Sequence, residues 1–235
     1  MSLGPRERVL SAVELALGFP ARDHSLLQPG ESPSSVPWLP ASEPWEALQR
    51  ELEALSAKFH RVHKAEEFPS VMASILGEHA LKKAVLWEHP ILSALDVRGL
   101  LRDAGVSLID GAQAGPFTKA AAEADLGVTA AECAIVESGA IMVRTSVGWE
   151  RSTSLLPPIH LAILTAAQRV RTVWDLVPVW RDWLRRDGQL PSAIHLITGP
   201  SRTADIELTL VLGAHGPKVL HVLALDQEAV PEGDS

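Results

Sequence analysis

Cysteine is almost absent from this chain. Cys133 is the only one in 235 residues. That excludes an intrachain disulfide, and it excludes a four-cysteine iron–sulfur cluster held by this chain alone. Cys133 lies in the apolar run Cys133-Ala134-Ile135-Val136, which suits a buried, inert thiol. Lys/Arg clusters are also missing, and the formal net charge is −8. Non-specific nucleic-acid binding is therefore disfavoured. No apolar run is long enough to span a bilayer, and no charged-then-apolar start precedes a small-residue cleavage site. The expectation is a cytoplasmic protein without a membrane span. Nine histidines are present, yet neither His-x-x-x-His nor His-Glu-x-x-His occurs, so no dedicated metal site is expected. Gly-x-Gly-x-x-Gly and the P-loop are absent, which argues against a stand-alone nicotinamide dehydrogenase. No cofactor is expected on this chain alone.

What is present is a rhythm. From residue 61 onward, short apolar runs alternate with helical segments. Val62–Ala65, Lys83–Trp87 and Val106–Asp110 read as strands. Pro69–Ala80, Pro90–Ala104 and Lys119–Leu126 read as helices, the last ended by Gly127. This order predicts a mostly parallel sheet flanked by helices, an α/β fold. Ala134–Val136 and Ala140–Val143, parted by Glu137-Ser138-Gly139, predict two strands joined by a tight turn. Leu161–Leu164 is a further strand. Thr172–Arg186 is an amphipathic helix burying Val173, Leu176, Val177, Trp180, Trp183 and Leu184. The last strand is Val219–Leu225. Residues 1–60 read as a helical N-terminal extension with a Pro-rich linker, residues 61–226 as the α/β domain, and residues 227–235 as an acidic tail. Pro20 to Pro44 read as an exposed connection, followed by a helical face of Trp45, Leu48, Leu52 and Leu55. Asp226 to Ser235 has the composition of a disordered segment.

The most chemically suggestive run is Ile197-Thr198-Gly199-Pro200-Ser201-Arg202-Thr203-Ala204-Asp205-Ile206-Glu207. A strand, Ala193–Ile197, enters a Gly-Pro turn. The turn opens onto polar residues and then the apolar run Leu208–Leu212, read here as a helix. Such a turn aims backbone N–H groups at one point, a natural seat for an anion. Ser201, Arg202 and Thr203 add donors, and Arg202 can grip a carboxylate or phosphate in bidentate fashion. Asp205 and Glu207 could bind a substrate hydroxyl or handle a proton. The same residues also suit a well-capped helix.

Together with Gly213-Ala214-His215-Gly216-Pro217 and Val219–Leu223, this run resembles the lactate-utilisation protein C family, the LUD domain. Asp125–Ile141 and Ser154–His160 match as well, in the family's order. The resemblance implies a fold like those of ribose-phosphate isomerases, glucosamine-phosphate deaminases and CoA-transferases (NagB/RpiA/CoA-transferase-like). It also implies a part in oxidising L-lactate to pyruvate beside iron–sulfur partner subunits, which would carry the clusters. An accessory, non-catalytic subunit fits that picture. The alternative is a stand-alone enzyme acting on a small phosphorylated or carboxylated substrate. The chain departs from the commoner family pattern at Ser138 and Ala140, where threonine is frequent.

Two further residues complete the candidate site. Glu137, at a turn beside Gly139, could act as base or nucleophile, with the glycine admitting a ligand to the backbone; it could equally bond backbone N–H groups of its own turn. CoA-transferases of similar fold use a glutamate nucleophile, but their Gly-rich CoA-binding motifs are missing. His160 precedes a strand and could be a general acid/base or a hydrogen-bonded structural residue. His215 lies in a glycine-flanked turn, either at a cleft mouth or simply on the surface. His195 and His221, inside predicted strands, read as structural. Arg144 and Arg151 could extend the anion site or be solvated. The candidate cleft gathers Glu137, Ser138 and Gly139 with His160, Gly199, Ser201, Arg202, Thr203, Asp205, Glu207 and His215. It is expected at strand ends, where open parallel sheets place ligands.

Overall fold

Ile159–Thr165 (β7) and Val219–Leu225 (β12) are nearly continuous apolar runs, the pattern of strands covered on both faces. They lie side by side at the centre of a six-stranded parallel sheet. The computed structural model describes residues 36–109, 117–204, 210–212 and 216–231. Lys58–Val62 (β1) flanks β12 at one edge. Leu126–Ala130 (β4), Lys83–Leu86 (β2) and Ser107–Leu108 (β3) continue outward from β7. The α/β class with a mostly parallel sheet is thus as expected. The predicted N-terminal arm falls mainly outside the described residues.

Helix α1, Glu46–Ala54, follows from its apolar spacing. Trp45, Leu48 and Leu52 are three and four residues apart, so they share one face, and all three are buried. Of the expected connection over Pro20 to Pro44, residues 36–44 are described; Pro37, Trp38, Pro40, Ser42 and Pro44 are exposed, as expected, while Leu39 is buried. Arg169 is fully buried and donates to the carbonyls of Pro40, Ala41, Glu43, Pro44 and Ala166. Its guanidinium lies 4.0 Å from the centre of the Trp45 ring. Residues 40–44 are therefore held from the inside by a cation.

Several expectations need correction. Strand β1 ends at Val62, and Ala65–Glu67 form a 3₁₀ turn instead of extending it. Helix α2 is Phe68–Gly77. The helix expected over Pro90–Ala104 is two, Pro90–Ala94 (α3) and Val97–Asp103 (α4). They part at Asp96, whose φ of 46° breaks the helix and whose side chain caps α4 through Gly99 N. Helix α5, Phe117–Glu123, stops before Asp125. Leu126 belongs to β4, a strand that the sequence reading missed. Gly127 is not a helix stop but a mid-strand residue, and a Cβ there would lie 1.8 Å from the Thr153 carbonyl oxygen. It admits the short helix α6, Ser152–Leu155, onto the sheet.

The second sheet has four strands, in the order β8-β5-β6-β9. Cys133–Ile135 (β5) and Ala140–Arg144 (β6) form the expected antiparallel pair. Ile194–Ile197 (β9) runs antiparallel to β6, and Arg169–Val170 (β8) parallel to β5. Helix α7, Leu176–Asp187, covers this sheet with Leu176, Val179 and Trp183 against Cys133, Ile135, Ala140 and Met142. Val173 and Leu184, expected in that face, are exposed. Burial pushes the Cys133 thiol up to about 12, so it is an un-ionised core group.

After Gly199 the chain forms a hairpin, not a helix. Arg202–Ala204 (β10) pairs antiparallel with Leu210–Leu212 (β11). A short apolar run fits strand or helix equally by pattern, and here pairing decides. Asp226 does not begin a disordered tail. It accepts from Trp45 Nε1 at 2.6 Å and from Arg61 Nε at 3.1 Å, and its other oxygen lies 3.0 Å from His63 Nδ1. Gln227–Ala229 form a 3₁₀ turn with Ala229 buried.

Candidate functional site

The β6–β9 register aligns Ile141 with Ile197. Continued by two residues, it sets Gly139 opposite Gly199. Both have backbone conformations that favour glycine, at φ 63° and 139°. Both press on α1 and the turn after it. A Cβ on Gly139 would lie 3.0 Å from the Glu51 carbonyl carbon, and one on Gly199 would lie 2.8 Å from the Leu55 oxygen. The close approach at these glycines is thus made by the protein's own helix.

Ser201 N donates to the Pro217 carbonyl at 2.8 Å, and a Cβ on Gly216 would lie 3.4 Å from Ser201 Cβ. Lys218 N and Val219 N both donate to the Pro158 carbonyl, just ahead of β7 and β12. The predicted run therefore gathers Gly139, Gly199, Ser201, Gly216 and Pro217 near the amino ends of the parallel strands. Arg202 and Thr203 lie on β10, so no helix N-terminus stands at this point to attract an anion. Asp205, Glu207 and His215 lie outside the described residues.

Glu137 and Ser138 are exposed at the β5–β6 turn. One Glu137 oxygen accepts from Val173 N at 3.0 Å, so the carboxylate ties this turn to the 3₁₀ segment Val173–Asp175. His160 is fully buried on β7. Its Nε2 lies 2.8 Å from Thr129 Oγ1, and Nδ1 has no hydrogen-bond partner among the described residues. Burial pushes its pKa down to about 3, so the ring is neutral at physiological pH. Arg144 is neither free nor solvated. It pairs with Glu132 at 2.7 Å and lies about 5 Å from the Trp149 and Trp183 ring centres.

A second polar cluster near the same amino ends escaped the sequence reading. His221, on β12, is fully buried. Its Nδ1 lies 2.9 Å from His60 Nε2, and its Nε2 lies 2.9 Å from His79 Nε2. Glu78 stands beside His79 and accepts from the Lys58 ammonium. That bond holds the Glu78 carboxyl below its ordinary range. Burial, reinforced by His60 and His79, pushes His221 down to about 3, and burial lowers His60 as well. Glu78, His79 and His221 each offer one ligand atom, all within 4.8 Å of one another. No local spacing announces them, because residues 78–79 follow α2 while residue 221 lies in a distant strand.

Two crevices flank the carboxyl ends. One, of about 800 Å³, is lined by Glu43, Arg61, His63, Lys64, Asp226 and Glu228 among others. The other, of about 560 Å³, is lined by Trp87, Glu88, His89, Asp96 and Arg98 among others. No helix among the described residues is long and apolar enough to cross a membrane.

These features define an α/β domain whose parallel sheet carries a smaller sheet built around an antiparallel hairpin. The LUD domain family matches residues 45–225, and the chain belongs to that family. It is similar to lactate utilization protein C of Shouchella clausii, 29% identical over 227 residues, covering 95% of this chain and 98% of that one. The Halalkalibacterium halodurans protein of the same name is 28% identical over 172 residues, 71% of this chain and 75% of the relative. The one from Bacillus subtilis is 37% identical over 110 residues, 46% of each chain. A crystal structure of a DUF162 family protein from Deinococcus radiodurans shares the fold. Its TM-score is 0.53 at 19% identity, covering 80% of this chain and 99% of that one.

Proposed function

We propose that this chain is a cytoplasmic component of an L-lactate utilisation system, acting beside iron–sulfur partner proteins in the oxidation of lactate to pyruvate. The observation that carries this reading is similarity over nearly the full length of a lactate utilization protein C, 95% of this chain. The thiol chemistry supports placing the clusters on partners. Cys133 is sealed beneath α7 with its thiol un-ionised, so it could not serve as a cluster ligand without opening that core. Within this reading, a small anionic ligand is expected at the Gly199–Thr203 run, where the sequence offers Arg202 as the matching charge.

The test is genetic and biochemical. Deleting the gene should abolish growth on L-lactate but not on pyruvate, and the wild-type gene should restore it. Glu137→Gln keeps a carbonyl oxygen able to accept from Val173 N. It should fold normally and fail to restore growth if the carboxylate meets the ligand. Unimpaired growth of the deletion strain on L-lactate would refute the reading.

A further inference from the structure

Three imidazoles from three separate parts of the chain meet in a row near the sheet's amino ends, with His221 in the middle. A polar group buried this deeply requires partners. Among the described residues, the central ring, His221, finds them in two other histidines, His60 and His79. An aliphatic residue would fill a buried strand position without that demand. The arrangement has the chemistry of a metal centre. Two imidazole nitrogens and a carboxylate are a common ligand set for Zn²⁺ with an open fourth position. His60 occupies the place of an outer partner: if His221 donates its Nδ1–H to His60 Nε2, its Nε2 lone pair points at His79.

We propose that Glu78, His79 and His221 form a binding site for a divalent transition-metal ion of the Zn²⁺ class, with His60 as the positioning residue that fixes the His221 tautomer. The spacing is close to what a metal needs. Zn–N bonds near 2.05 Å at a tetrahedral angle put two ligand nitrogens about 3.3 Å apart, against 2.9 Å between the His79 and His221 Nε2 atoms. A shift of about 0.4 Å, available to a ring on the connection after α2, admits the ion. Without metal, a proton must lie between these two nitrogens. On binding, His79 carries its proton on Nδ1 instead, so no proton need be released from the imidazoles. Glu78 keeps one oxygen for Lys58, whose ammonium offsets part of the site's charge, and brings the other to the metal. His79 is only partly buried and Glu78 is exposed, so the fourth position faces solvent and could accept water or an oxygen of an anionic ligand. The site does not depend on the lactate reading.

The test uses the full chain, stripped with chelator and titrated with Zn²⁺ by calorimetry, with Co²⁺ as a spectroscopic probe. One ion should bind per chain. Co²⁺ should give the intense visible bands of a four- or five-coordinate site with nitrogen ligands. His79→Gln and Glu78→Gln, both at sites open to solvent, should weaken binding by more than the roughly 10–100-fold expected for His60→Gln, which removes only the outer partner. His63→Gln should leave it unchanged. His221→Gln changes a fully buried strand position, so the decision rests on the other variants. No stoichiometric binding, or equal affinity in correctly folded His79→Gln and Glu78→Gln, would overturn the assignment.

Discussion

Replacing Arg169 with alanine should be among the most damaging single substitutions in this protein. Its side chain is fully buried, and five carbonyl oxygens at 2.8–3.3 Å receive its N–H groups. Four of them belong to residues 40–44. A buried acceptor left without its donor costs about 1–3 kcal/mol. Four such carbonyls would together cost about 4–12 kcal/mol, comparable with the whole stability of a domain, about 5–15 kcal/mol. The segment will instead peel away and solvate its carbonyls, which limits the loss. What cannot be recovered is the cation–π contact with Trp45, about 0.5–2 kcal/mol, together with the packing of the Trp45 ring and the order of residues 39–44. The expected loss is therefore about 3–5 kcal/mol, in line with removal of a buried charged partner. For a chain of this size that lowers Tm by roughly 6–20 °C. Arg169→Lys keeps the charge but has one nitrogen, which cannot reach carbonyls that now share three, so it should recover only part of the loss. Urea unfolding gives the energies. Hydrogen exchange at Leu39 N and Glu43 N, bonded to the Arg169 and Pro40 carbonyls, shows whether the segment has peeled. A loss below about 1 kcal/mol with those amides still protected would refute the idea that the cation organises this segment.

Two other predictions follow from burial and close approach. His160 is held neutral in the fold, with its pKa pushed from 6.5 to about 3. The unfolded chain therefore binds a proton that the native state refuses between those values, and stability falls as pH drops through that window and is flat above it. His160→Gln should flatten this slope by up to about 1.4 kcal/mol per pH unit; urea melts between pH 6.5 and 4.5 giving the same slope for both proteins would contradict the burial argument. Gly127→Ala should cost about 3 kcal/mol or more, since its Cβ would meet the Thr153 oxygen at 1.8 Å; a variant melting within 2 °C of the wild type would show that α6 can retreat freely.

The class of fold was legible because the central strands are continuous apolar runs and the β5–β6 pair is broken by Glu-Ser-Gly. Strand β4 was hidden because Leu126 directly continues an alanine-rich helical stretch, and Gly127 looks like a helix stop until α6 is seen packed on it. The run after Gly199 misled for a related reason. Polar residues followed by Leu208–Leu212 satisfy a helix start as well as a hairpin, and the pairing of Arg202–Ala204 with Leu210–Leu212 decides between them. Of the candidate site, the meeting of Gly139 with Gly199 could have been anticipated only from strand register. The histidine cluster was out of reach, since its members stand up to 161 residues apart. Arg169 gave no signal either, because a lone arginine beside an apolar residue does not reveal that carbonyls await it.

The contact of Trp45 with Asp226 closes a ring. These residues are 181 positions apart, yet their side chains meet at 2.6 Å; Trp45 begins the family match and Asp226 directly follows its last residue. The domain therefore opens and closes at a single corner of the sheet, where Arg61 and His63 also clasp Asp226. The glycine pair and the histidine cluster stand at the other, amino edge of the same sheet, so the side chains that close the ring and those of the candidate sites occupy opposite edges.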